Sequence, residues 1–241
     1  MNESPPFDFA RAVARLLPLH WRARLADMRG RGAYQGYPDR YRCIFIHIPK
    51  TAGYSVTHGL FNEVTGHSTW QRYYMTNPSK FRRYFKFAFV RNPWDRAVSS
   101  FHFLQAGGMI EQDSKWAREH LHGLSFSDFV RNWLNEDNVH TEVHFRPQHA
   151  FIADDTGRIM MDFVGRFETL AADFDTVAGR LGLNVTLPKG NSSAHEHYAS
   201  YYDDETRAIV GRVYARDVEL FGYRFEGMTA AADASIDGIR A

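Results

Sequence analysis

Cysteine is almost missing from these 241 residues: Cys43 stands alone. A single thiol excludes an internal disulfide and a cysteine-built zinc site. Its place at the head of an apolar run marks it as a small buried residue, not a reactive one. Long apolar stretches are missing too, and no run approaches the roughly 18 residues of a membrane-spanning helix. Residues 1–6 are polar, hold no basic side chain and lead into no long apolar core of the kind a secretory leader has. The expected setting is therefore reducing and cytoplasmic. Neither sign of charge is in excess, with 29 Lys and Arg against 28 Asp and Glu. That balance says nothing about a polyanionic partner, and any basic surface must be local; no nucleic-acid partner is expected. Internal repeats are absent as well. What is there, 44% hydrophobic and 24% charged residues, suits one α/β domain with a sizeable core.

The chain is organised around Cys43-Ile44-Phe45-Ile46-His47-Ile48-Pro49-Lys50-Thr51-Ala52-Gly53-Tyr54-Ser55. A short apolar run ends at Pro49; a lysine and a small-residue turn follow. Val56, Leu60 and Phe61 then resume at helical spacing, predicting a helix from Gly53 to Asn62. Strand, anion-cradling turn and helix are the parts of a nucleotide-binding loop. Ahead of it, residues 1–42 form a basic N-terminal lead. Phe9, Val13, Leu16 and Leu17 space as a short amphipathic helix, and Arg11, Arg15, Arg22, Arg24, Arg29 and Arg31 supply charge. Such a lead either packs on the domain as a solvated helix or makes a peripheral contact with anionic lipid or an acidic glycan.

Downstream, a polar segment holds Gly66, His67, Asn77 and Pro78. Lys86-Phe87-Ala88-Phe89-Val90-Arg91 reads as a second buried strand. Pro93 suits the first turn of a helix running to Leu104, with Ala97, Val98, Phe101 and Leu104 inward. Gly107-Gly108 breaks the chain. Residues 109–150, rich in histidine and aromatics, show one helix, from Ser127 as N-cap to Leu134. A third strand is predicted over 158–164, then a helix from Leu170 to Leu181 stopped by Gly182. A last helix, Asp204 to Phe221, buries Ile209, Val213 and Leu220. The tail, 227–241, is expected to be disordered. Strands alternating with helices imply an α/β fold with a central, mostly parallel sheet covered by helices and ligands at the strands' carboxyl ends.

Lys50, Thr51, Ala52, Gly53, Tyr54 and Ser55 offer a cation, hydroxyls and consecutive backbone N–H groups at a helix start, which suits a phosphate or phosphosulfate. No Gly-x4-Gly precedes Lys50, so this is not the ATPase loop. Arg91 ends the second strand and Ser99 lies two turns into the next helix. Both are placed to reach one phosphate, the arginine in a bidentate fork. Two phosphate sites point to a nucleotide phosphorylated twice on its ribose.

These residues carry a family resemblance. Phe45 to Ser55 resembles the 5′-phosphosulfate loop of carbohydrate-type sulfotransferases, and Phe87 to Ser99 resembles their 3′-phosphate motif. Asp162-Phe163-Val164-Gly165-Arg166-Phe167-Glu168 and the closing Tyr214 to Tyr223 are similar to the family too, so the likeness spans residues 43–224 within a sulfotransferase domain of 43–226. Family members commonly carry Gly-Gly-Thr where this chain has Ala52-Gly53-Tyr54, and Tyr54 removes a side-chain donor. Lys189-Gly190-Asn191 is similar to the segment that closes over the 3′-phosphate end. The resemblance implies a P-loop-like three-layer α/β fold, 3′-phosphoadenosine 5′-phosphosulfate as donor, no metal, and the hydroxyl of a glycan, glycolipid or other glycoconjugate as acceptor. Rival readings are a small-molecule kinase, which the missing Gly-x4-Gly-Lys-Ser/Thr pattern disfavours, and a nucleotide-binding regulator without catalysis.

Sulfuryl transfer, like phosphoryl transfer, rests on positioning and on neutralising the leaving oxygens, a role for Lys50. The acceptor hydroxyl needs a base, and twelve histidines compete. His67, after the phosphosulfate-loop helix, is the first choice because related glycan sulfotransferases place a catalytic histidine there; Glu63 and His102 follow. Arg146 and Gln148 are the candidate acceptor contacts. His140 and His144 stand four apart as a metal half-site, but no third ligand is marked.

Overall fold

The computed structural model describes residues 18–188 and 197–228. The amphipathic stretch Phe9–Leu17, the loop Lys189–Asn191 and the tail after residue 228 lie outside the described residues. Strands β1 (Cys43–Ile46), β2 (Phe85–Val90) and β3 (Phe163–Arg166) form a parallel sheet in the order β1-β2-β3, with Phe45 opposite Phe87 and Phe89 opposite Gly165.

Alternation along the strands builds two cores. Cys43, Phe45, Phe87 and Phe89 point to one face, where they meet Val56 and Leu60 of helix α3 (Gly53–Phe61) and Phe174 and Val177 of α10 (Leu170–Arg180). Ile44, Ile46, Ala88 and Val90 point to the other, against Tyr73 of α4 (Trp70–Thr76), Phe81 of α5 (Pro78–Arg83), Ile152 of α9 (His149–Ile152) and Phe221 of α12 (Ala215–Phe221). A sheet covered on both faces is what near-continuous apolar strands require. Cys43 is fully buried, and that burial pushes its thiol up to about 12. A third core is helical: Val98, Phe101 and Leu104 of α6 (Pro93–Gln105) pack with Leu121, beside α7 (Glu111–His120), with Phe129 of α8 (Phe126–Asn132) and with Val210 of α11 (Asp204–Val213).

Several elements depart from the sequence expectations. The polar segment 70–83 is two helices, because Trp70, Tyr73 and Phe81 supply a buried face that a window of mixed charge conceals. Helix α7 is likewise new; Asp113 starts it by accepting from the Met109 and Ile110 N–H groups. Helix α8 begins two residues early, with Ser125 and not Ser127 as N-cap, accepting from Asp128 N–H. The third strand is not 158–164 but Phe163–Arg166: Ile159 pairs instead with Ala153 in a local antiparallel bridge. The last helix breaks at Tyr214, which is buried and donates its hydroxyl to Phe145 O. The described part of the lead, residues 18–42, packs on the domain. Helix α1 (Leu19–Met28) is tied down by Asp27, which accepts from Asn77 and Lys80 at 2.9 and 3.0 Å, and α2 (Tyr37–Tyr41) follows Tyr34, buried in the sheet's core. Arg22, Arg24, Arg29 and Arg31 are exposed. Among the described residues no helix is long and apolar enough to cross a membrane.

Candidate active site

The carboxyl ends of β1 and β2 carry the site. Beyond β1 the backbone twists into the left-handed region at Lys50 (φ 67°) and again at Ala52 (φ 64°), which caps α3. Side chains other than glycine avoid that region, so the loop stores strain at two adjacent turns, a pattern found at ligand clamps. Backbone that alternates in this way is the kind that can turn successive N–H groups toward one point, as an anion nest at a helix start requires. Thr51 is buried and spends its hydroxyl on Ile48 O at 2.9 Å, bracing the loop. Tyr54 is 53% exposed and stacks on His58, so what it offers such a nest is its backbone. Ser55 is half-buried on the first turn of α3.

Gly53 has a steric task. A Cβ there would lie 2.0 Å from His47 Cδ2 and 2.2 Å from its Nε2, so the imidazole lies directly on the helix start. His47 donates from Nδ1 to Thr65 O at 2.9 Å, and burial holds its pKa down at about 4, aided by neighbouring His67. It is a neutral ring packed under the site.

His67 lies on that ring, centroids 4.4 Å apart. Its Nδ1 is 3.1 Å from His47 O; a carbonyl only accepts, so Nδ1 carries the proton and Nε2 keeps its lone pair. One face of His67 is open to solvent, yet the protein around its inner edge lowers its pKa below the usual histidine value. The Lys50 ammonium sits 4.0 Å above the Phe103 ring, and desolvation, with the Arg91 charge, pushes its pKa down to about 8.

Arg91 is 6% exposed and already engaged. Its Nε and Nη2 donate to Asp95 at 2.7 and 2.8 Å, its Nη1 donates to Lys50 O at 3.1 Å, and the guanidinium stacks on Phe167 at 3.9 Å. The bidentate fork expected for a phosphate thus grips Asp95, and Arg91 braces the Lys50 turn. Ser99 is buried on α6, where the spacing placed it.

Other candidates are redirected. Gln148 is fully buried: its Oε1 accepts from Arg91 N–H and its Nε2 donates to Arg91 O. Both ends of its amide are used to hold the Arg91 backbone, so it does not face an acceptor. Arg146 is half-buried, its Nη2 3.4 Å from His140 O. Glu63 accepts from Tyr37 N–H and pairs with Arg40. His102 lies on α6 against Tyr201. His140 is exposed and His144 Nδ1 is bonded to Glu142; no group of three or more His, Cys, Asp or Glu side chains is placed to hold a metal among the described residues.

Four contributors were not assigned to this site from the sequence, His144 having been marked only as a metal half-site. His47 stands three residues before Lys50, Asp95 one helical turn after Arg91, and Phe103 and His144 bring Lys50 and His67 together. Only Asp95, at i+4 from an arginine, carried a local signal.

The profile of the sulfotransferase family matches residues 37–224. The chain belongs to the sulfotransferase family. Curated relatives include carbohydrate sulfotransferase 14 of Mus musculus, 25% identical over 241 aligned positions covering 80% of this chain and 61% of that protein. Carbohydrate sulfotransferase 10 of Homo sapiens is 28% identical over 178 positions, 60% of this chain and 48% of that protein. This sulfotransferase-family chain therefore spans between about half and three fifths of the length of those relatives. No solved structure matches it.

Proposed function

We propose that this chain transfers a sulfuryl group from 3′-phosphoadenosine 5′-phosphosulfate to a hydroxyl of a glycan or glycoconjugate. The observation that carries the reading is the meeting of a half-buried, desolvated lysine on the turn into α3 with a histidine whose Nδ1 holds the proton and whose Nε2 lone pair has no partner among the described residues. The relatives' names point the same way, toward carbohydrate acceptors.

The residues present fit such a donor. The N–H groups from Lys50 to Ser55 and the positive end of α3 suit the 5′ end, and Ser99, with the two Arg91 N–H groups not given to Asp95 and Lys50 O, suits the 3′-phosphate; Lys189, Gly190 and Asn191 belong to the same proposal by resemblance. When bound, the donor supplies the sulfuryl group and a 5′-phosphate leaving group. Lys50 holds positive charge where negative charge develops on the leaving oxygen. His67 Nε2 takes the proton of the acceptor hydroxyl as its oxygen becomes nucleophilic. Desolvation serves both groups: it strengthens the lysine's field and keeps the histidine unprotonated near neutral pH. Arg146 remains the acceptor contact of this proposal.

Calorimetry tests the donor side. Adenosine 3′,5′-bisphosphate should bind tightly, and Arg91→Ala should weaken it through both the phosphate contact and the loss of the Lys50 brace. Preference for ATP would overturn the assignment. On the catalytic side, His67→Ala should abolish transfer while leaving bisphosphate binding nearly intact, measured with a mass-shift screen of glycans and glycolipids.

A further inference from the structure

His144 is held far more firmly than a packing aromatic needs. Its carbonyl accepts from Arg96 Nη1 at 3.1 Å and from Ser100 Oγ at 2.8 Å. Its N–H and its Nδ1 both reach Glu142 Oε1, at 3.1 and 2.7 Å. Arg96, only 1% exposed, spends its guanidinium on the carbonyls of residues 144–146, with no carboxylate bonded to it among the described residues. Burying that charge is expensive, so the segment's position has value beyond filling space. The ring of His144 is buried with its edge or face at right angles to His67, centroids 5.6 Å apart at 82°, and lies 5.0 Å from Phe103, the ring under the Lys50 ammonium.

We propose that Glu142 and His144 are a positioning pair for His67: the carboxylate fixes the His144 ring through Nδ1–H, and that ring holds the His67 imidazole with Nδ1 on His47 O and Nε2 toward the acceptor. The inference rests on the reading of His67 as the base. The charged and titratable groups around His67 come from every side: His47 beneath it, Lys50 across Phe103, His144 with Glu142 behind, and Asp113 from α7. His144 and Lys50 favour the neutral ring, and Asp113 opposes them. Removing His144 therefore both frees the ring and lets it bind a proton more readily.

The test uses the intact chain with ¹⁵N-labelled histidine, the His67 signals being assigned through His67→Gln. In the wild type His67 should show a single Nδ1–H tautomer. In Glu142→Gln and His144→Phe it should become a mixture of tautomers. Turnover should fall about tenfold to a hundredfold, the cost of a misplaced catalytic group, with bisphosphate binding unchanged. The acid limb of the pH profile should move to higher pH in His144→Phe. Because phenylalanine keeps the packing, a His144→Phe enzyme with wild-type tautomer pattern and pH profile would overturn the pairing. Absence of transfer by the wild type would overturn the sulfotransferase reading instead, and the tautomer measurement would still decide the pairing.

Discussion

Gly53→Ala offers the sharpest test of how the site is built, because two rules of protein chemistry oppose each other there. Gly53 is the first residue of α3, and alanine in a helix is favoured over glycine by up to about 1 kcal/mol. Opposing this, the added methyl would fall 2.0 Å from His47 Cδ2 and 2.7 Å from Cγ, inside any real contact distance. The imidazole must leave, losing its 2.9 Å bond to Thr65 O, a loss of about 1 kcal/mol, and overpacking adds about 1–3 kcal/mol. Gly53→Ala should therefore destabilise the fold by about 1–3 kcal/mol. In a His47→Ala background the clash is gone, and the same change should be neutral or stabilising by up to about 1 kcal/mol. Urea denaturation of the wild type, both single variants and the double variant closes the cycle. A coupling of about 2–4 kcal/mol is expected. Additive effects, or a stabilised Gly53→Ala, would refute the placement of His47 on the helix start.

The same histidine should make the fold acid-sensitive: its native pKa, about 4, lies below its unfolded value near 6.5, so its contribution is complete above that value and is lost as pH falls toward 4. The loss amounts to about 3 kcal/mol, and urea midpoints for His47→Gln should vary less with pH across this range. For transfer, kcat/KM should trace a bell, rising below 6.5 as His67 loses its proton and falling near 8 as Lys50 loses its own. Lys50→Ala should lower turnover about a hundredfold to a thousandfold, more than Ser99→Ala does, in a donor-saturated assay. Glu63→Gln should leave turnover unchanged, since that carboxylate serves Tyr37 and Arg40; a large loss would restore it as the base.

Contiguous features were legible in the sequence. The loop from Ile48 to Ser55, the strand leading into Arg91 and the helix from Pro93 are each specified by neighbours: apolar runs, a proline at a helix start, small residues at a turn. Local chemistry decides these, and the described backbone follows it closely for β1, β2, α3, α6 and α10. Helices α4, α5 and α7 were not legible, because each owes its existence to a face buried against partners far along the chain.

The site divides in the same way. That Lys50 lies on the turn between β1 and α3 follows from sequence alone; that its ammonium is desolvated over Phe103 depends on α6 packing beside the loop. Tertiary structure likewise directed Glu63 to α2, gave Gln148 to the Arg91 backbone and brought His144, 77 positions beyond His67, against it. Asp217 takes part as well: buried in α12, it accepts from the N–H groups of Gln148 and His149. A residue's type and immediate neighbours set what chemistry it can offer. Which partner consumes or frees that chemistry is set by long-range burial, where an unpaired polar group is costly and each donor must find an acceptor.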